Sequence, residues 1–163
     1  TVNADALRPQ GHLVRRFQVN DWMVEQAIAG FSADDWTFRP GESSSALWLV
    51  GHLAGARRNA SRVMNAELPQ EAWESAYRRG TDPGAPLPLA ATDVMAAFQA
   101  AGERVRAQLA NLSDEQAVAK AAWTSPDGAD TVIGLLQFLH FHECYHIGQL
   151  GLIRRLLGKP RIV

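Results

Sequence analysis

Three of the five histidines fall within seven residues. They are His140, His142 and His146, inside the run HFHECYHIGQLG at 140–151. Near neutral pH an imidazole is largely uncharged and offers a nitrogen lone pair to a metal ion. His142 and His146 are four residues apart, so a helix would bring them to one face, about 40° apart and one turn along the axis. HECYH also spells HExxH, the pattern in which two histidines bind zinc and the glutamate serves as general base.

The protease reading of HExxH fails on the residues downstream of it. Zinc usually takes at least three protein ligands. A metzincin needs Gly at 149 and His at 152, where this chain has Gln149 and Leu152. No Asp or Glu follows Glu143 and no His follows His146, so no downstream ligand exists. A ferritin-like di-metal site needs a second ExxH and further inward glutamates. The chain has one ExxH, and no acid between Ala46 and Ala66.

The third ligand must therefore come from upstream, from Glu143 or from solvent. His140 is about 160° around the helix from His142 and points elsewhere. His12 lies beside Gly11 near a helix start. His52 sits mid-helix in LWLVGHLAGA, among apolar and small residues, where Gly51 and Gly55 would permit a close approach. Alone, such a histidine is most simply a core residue with one hydrogen bond; beside an inward HxxxH pair it is the best third ligand. Three imidazoles would leave an open position, as catalytic zinc sites do. Cys144 is expected to pack away from His146 as a small buried hydrophobe. Trp22, Trp36, Trp48 and Trp73 are expected in the core, with Trp48 able to wall a pocket beside His52.

Four long helical patterns position these residues. The first runs from Pro9 to about Ala29 and stops at Gly30. The second follows Ser43–Ser45 and reaches about Asn65. The third spans about Thr92–Leu112, with apolar residues at helical spacing. The fourth follows Asp130 and ends near Gly158, with Leu135, Leu139, His142, His146, Gln149 and Ile153 as its inward seam. Short helices are expected in 32–38, around Glu71–Arg78 and in SDEQAVAKAAW, and GTDPGAPLPL is the longest loop. No alternating strand pattern of useful length appears. The expectation is one all-α domain over 1–163, a four-helix bundle with long, irregular connections.

Composition narrows the partners. A formal net charge of −1 argues against nucleic acid, whose binders carry a basic surface. The most apolar long stretch, 133–157, carries too many polar groups for a membrane span. The start, TVNADALRPQ, lacks the apolar core of a signal peptide. One cysteine excludes an intramolecular disulfide and suits a cytoplasmic protein.

Two segments, ALWLVGHLAGARRN at 46–59 and FLHFHECYHIGQLGLIRRLLGKP at 138–160, carry a resemblance to the DinB/YfiT-like superfamily of metal-dependent enzymes. The matching positions are His52, His142, His146, Gly148, Gln149, Arg154 and Gly158, with Ile147 where a small residue is usual. The resemblance implies a DinB-like four-helix bundle, commonly a homodimer, with zinc or nickel on His52, His142 and His146. It implies a small-molecule substrate and a low-molecular-weight thiol as cosubstrate, activated for transfer to an electrophile. The alternatives are a metal-dependent hydrolase and a metal-binding stress protein without turnover. Within that reading Glu143 is a candidate general base, Gln149 a candidate to orient a ligand, and Arg154 a candidate to attract an anionic thiol.

Overall fold

The computed structural model describes residues 8–65 and 67–163. Its helices are α1 (Pro9–Ile28), α2 (Ala33–Thr37), α3 (Ala46–Met64), α4 (Ala91–Asn111), α5 (Asp114–Val118) and α6 (Val132–Leu156), with a 3-10 helix at Ala72–Tyr77. The four long ones form a four-helix bundle. α1 and α3 each pack against both α4 and α6, so the order around the bundle is α1–α4–α3–α6.

Local chemistry sets the ends. Pro9 opens α1, where a missing N–H costs nothing. The Ser45 hydroxyl accepts from the Trp48 N–H and caps α3. α6 is capped by Thr131, which accepts from the Gly134 N–H; the expected cap, Asp130, lies one residue too early. Past α6, Gly158 takes φ +73°, a left-handed turn that suits glycine.

The core has two apolar clusters. Leu49, Leu53, Phe98 and Leu150 belong to one. Phe17, Val105, Leu109 and Leu136 belong to the other. Between them lies a charged layer on Arg57. Its guanidinium carbon sits 3.8 Å from the Phe98 ring centre and 5.7 Å from that of Phe17, one ring from each cluster.

The phase of α6 differs slightly from expectation. Its buried stripe runs Leu135, Leu139, Glu143, Ile147, Leu150, Ile153. His142 and His146 flank that stripe and are partly buried. A turn of 3.6 residues moves the stripe from Leu139 to Glu143 and Ile147, which leaves the histidines at its edge facing α3. Cys144 is exposed rather than buried, beside Asn20 and His140 on the side of α6 next to α1. Of the tryptophans expected inside, Trp48 is buried, Trp36 and Trp73 are partly buried, and Trp22 is exposed because it lies off the inward stripe of α1.

Candidate metal centre

α3 and α6 bring His52, His142 and His146 together. His52 Nε2 is 3.1 Å from His142 Nε2, and His146 Nε2 is 3.0 Å from the same atom. No other group of three or more His, Cys, Asp or Glu side chains suited to a metal occurs among the described residues. His12 and His140 stay away from this group; the His140 ring packs edge-on against Phe17.

Two of the rings are held from behind. His52 Nδ1 lies 2.7 Å from the Tyr77 carbonyl oxygen, which can only accept, so Nδ1 carries the proton. His146 Nδ1 lies 2.6 Å from Gln149 Oε1 and donates to it likewise. Both Nε2 atoms therefore present lone pairs inward. This is the outer-sphere arrangement that fixes tautomer and ring orientation in metal-ligating histidines. Trp48 stacks on His52, with ring centres 4.8 Å apart and planes 10° apart. The Trp48 indole N–H is in turn fixed by Thr81 Oγ1 at 3.0 Å.

The donor set fits a cation better than a hydrogen-bonded cluster. One N–H on His142 Nε2 can point at only one of the two facing lone pairs. His142 Nδ1 is buried with no protein partner. Tetrahedral zinc, with bonds of about 2.0–2.1 Å, places its nitrogen ligands about 3.3 Å apart, a few tenths of an ångström wider than the two pairs that His142 Nε2 makes at 3.0 and 3.1 Å, and all three ligand atoms lie within 4.8 Å of one another. Burial holds all three imidazoles below the usual histidine pKa, and His142 is pushed down to about 4, with its two neighbours adding to the effect of burial. At neutral pH the three rings are thus neutral, each with one nitrogen lone pair ready to ligate.

Beside the triad is a cavity of about 790 Å³, lined in part by His52, His142, Gly55, Val63, Phe138, Leu139 and Trp123. Gly51 allows this geometry. A Cβ there would overlap the Tyr77 ring, whose carbonyl braces His52. The close approach expected at Gly51 is thus made by the 3-10 helix, and Gly55 opens onto the cavity.

Glu143 is not brought to this centre. It is 1% exposed, and its two oxygens receive Arg57 Nε at 2.9 Å and Nη2 at 2.6 Å. Arg57 Nη1 also reaches Asp21 at 2.5 Å, and Arg106 closes the cluster on the other Asp21 oxygen. Gly102 leaves room for the guanidinium, since a Cβ there would overlap it. The reason is helix phase: Glu143 is about 100° around α6 from His142 and faces the bundle centre. Arg154 is also elsewhere. It donates to the carbonyls of Ala29 and Pro160, tying the end of α6 to the turn after α1.

Sequence reasoning missed Arg57 and Tyr77. Arg57 had a readable signal, because it lies on the buried stripe of α3 with Leu49, Leu53 and Ala60. Tyr77 acts through its backbone, which no side-chain pattern announces.

The model of the DinB superfamily matches residues 18–150. The chain belongs to the DinB superfamily. Among solved structures the DinB-like fold is similar to YfiT from Bacillus subtilis, with TM-score 0.68 and 18% identity over 98% of this chain and 92% of that one. YfiT is described as "a probable metal-dependent hydrolase with an unusual four-helix bundle topology". No curated protein sequence matches this DinB-like chain.

Proposed function

We propose that this DinB-like protein is a metal-dependent enzyme that activates a low-molecular-weight thiol for transfer to a small electrophile. The observation that carries the metal is the convergence of three lone-pair nitrogens, two of them held in orientation by outer hydrogen bonds. His52, His142 and His146 would hold a divalent ion, zinc or nickel, and leave a position open. When bound, the ion supplies Lewis acidity that raises the thiolate fraction at neutral pH.

Thiol chemistry is favoured over hydrolysis by the placement of the carboxylates. Water activation by an HExxH glutamate needs that carboxylate free beside the metal. Here Glu143 is buried and held by Arg57, and the cavity's lining carboxylate, Glu74, is held by Arg58 and Arg62. A thiol, whose ordinary pKa is about 8.5, needs far less help to ionise than water does. The family resemblance also favours a thiol; the name given to YfiT favours the hydrolase alternative.

The test has two steps. Untagged protein, purified without added metal, should carry about one divalent ion per chain by elemental analysis. Metal-loaded protein should then speed the attack of bacillithiol, mycothiol, glutathione or coenzyme A on an aryl halide, epoxide or activated alkene, with His146→Ala as control. Equal rates for both proteins across the panel would remove the transferase reading. Ester hydrolysis lost in the same control would install the hydrolase in its place.

A homodimer belongs to the same reading. Phe141, Tyr145, Leu152 and Leu156 are exposed along one face of α6, with Gly148 between them. Light scattering on the eluting protein should give twice the chain mass, and a monomer that stays monomeric at high concentration would remove the dimer.

A further inference from the structure

The 3-10 helix ends at Tyr77, and Arg78 and Arg79 follow, both exposed and both bordering the cavity. The charged residues that border it are Arg62, Glu74, Arg78 and Arg79. Glu74 and Arg62 satisfy each other: Arg62 Nη1 and Nη2 reach the carboxylate at 2.9 and 2.8 Å. Arg62 further donates to Asn59 and to the carbonyls of Leu68 and Pro69. Arg78 and Arg79 have neither an ion pair nor a side-chain hydrogen bond among the described residues. The cavity therefore holds a net positive charge that the protein does not neutralise. Its remaining wall is largely apolar, with Val63, Phe138, Leu139 and Trp123. Apolar walls focus the field of such charges into the cleft and favour anions there. A guanidinium offers a planar fork of donors that matches a carboxylate or phosphate.

We propose that Arg78 and Arg79 form an oxyanion-recognition subsite of the cavity, so that the small molecule taken there joins an apolar body to a carboxylate or phosphate. The inference rests on the cavity being the substrate site of the histidine centre. It places anion recognition on the segment whose preceding residue braces His52. Arg154, which the sequence offered for this role, is committed to backbone carbonyls instead.

Calorimetry on the zinc-loaded full chain tests it with 6-mercaptohexanoate against 6-mercaptohexanamide, equal in body and differing in charge. The acid should bind about tenfold tighter than the amide, two partly screened charge pairs being able to supply that ratio. The preference should shrink in about 0.5 M salt. In Arg78→Gln/Arg79→Gln it should fall to within about twofold, while zinc affinity stays unchanged. Equal affinity for acid and amide, binding of neither at about millimolar concentration, or a preference that survives the double substitution would each overturn the proposal. So would a loss of zinc affinity in the double variant, which would make the arginines part of the His52 brace.

Two further compounds separate the possibilities. Preference for 6-mercaptohexylphosphonate over the acid would identify phosphate esters, and the reverse carboxylic acids; either supports the subsite. Hexanoate lacks the thiol. If it matches 6-mercaptohexanoate on wild type and still loses affinity in the double variant, the thiol reading fails and the subsite stands.

Discussion

His142 and Glu143 are neighbours in the chain, yet they serve two opposite kinds of buried polar site. Glu143 enters a cluster of full charges with Arg57, Asp21 and Arg106 that is closed on itself. His142 enters a cluster of neutral rings that is not: its Nδ1 lacks a partner, and the three Nε2 atoms face one another. A buried polar group without a partner costs about 1–3 kcal/mol. A closed ionic cluster explains itself as a means of fixing how helices align. An open cluster of aligned lone pairs calls for something from outside the protein. One residue step on α6, about 100° of rotation, separates the two.

The contrast breaks most sharply on its ligands. His142→Ala should lower zinc affinity by more than the 10–100-fold typical of outer-sphere changes, measured by competition with a chromophoric chelator. The metal-free variant should unfold in urea at nearly the wild-type midpoint, because the ring it removes carries an orphaned nitrogen. His52→Ala and His146→Ala should lower zinc affinity likewise, and His12→Ala and His140→Ala should bind zinc as wild type does. If His140→Ala equalled His142→Ala, the two-site picture of α6 would be wrong.

The ion cluster should respond in the opposite way. Arg57→Ala leaves the buried Glu143 carboxylate facing no cation, while Asp21 keeps Arg106, and should cost about 3–5 kcal/mol of metal-free stability in urea unfolding. Replacing the pair together, as Arg57→Met with Glu143→Leu, should recover much of that loss. Equal stability of Arg57→Ala and wild type would mean that this cluster is as open as the other.

A smaller effect separates brace from ligand. Gln149→Ala should weaken zinc binding by about 10–100-fold without moving the metal-free unfolding midpoint. Arg154→Ala should leave zinc affinity within about twofold. Acid sharpens the comparison further. The unfolded chain protonates its histidines near pH 6.5, whereas the folded protein holds His142 unprotonated down to about 4. Between these values the unfolded state binds more protons, so the stability of the metal-free protein rises with pH across that window. It should fall as pH drops from about 6.5 toward 4, and His142→Ala should show a shallower fall in unfolding midpoints taken across the range.

Much of this was legible in the letters. The helices announced themselves through apolar spacing and serine caps, and the i, i+4 pair with His52 through their apolar setting. Gln149 was readable because a residue three positions after His146 shares its face. Glu143 was misjudged because HExxH draws attention to the spacing of the histidines, whereas the fate of the glutamate depends on Arg57, 86 positions away. Such long-range pairs are written in no local pattern. Arg154 fell at a helix end, where bare carbonyls compete for any cation.

The short segment from Ala72 to Thr81 carries the acceptor for His52, the arginines at the cavity rim and the hydroxyl that steadies Trp48. Three duties on one stretch of chain limit how the protein can diversify. Any side chain at Gly51 would displace Tyr77 and disturb all three at once. Val63, Phe138 and Trp123 line the same cavity from other elements and take no part in steadying His52. If the cavity is the substrate site proposed above, descendants of this chain, natural or selected in the laboratory, can exchange substrates through those walls while the histidine centre passes on intact.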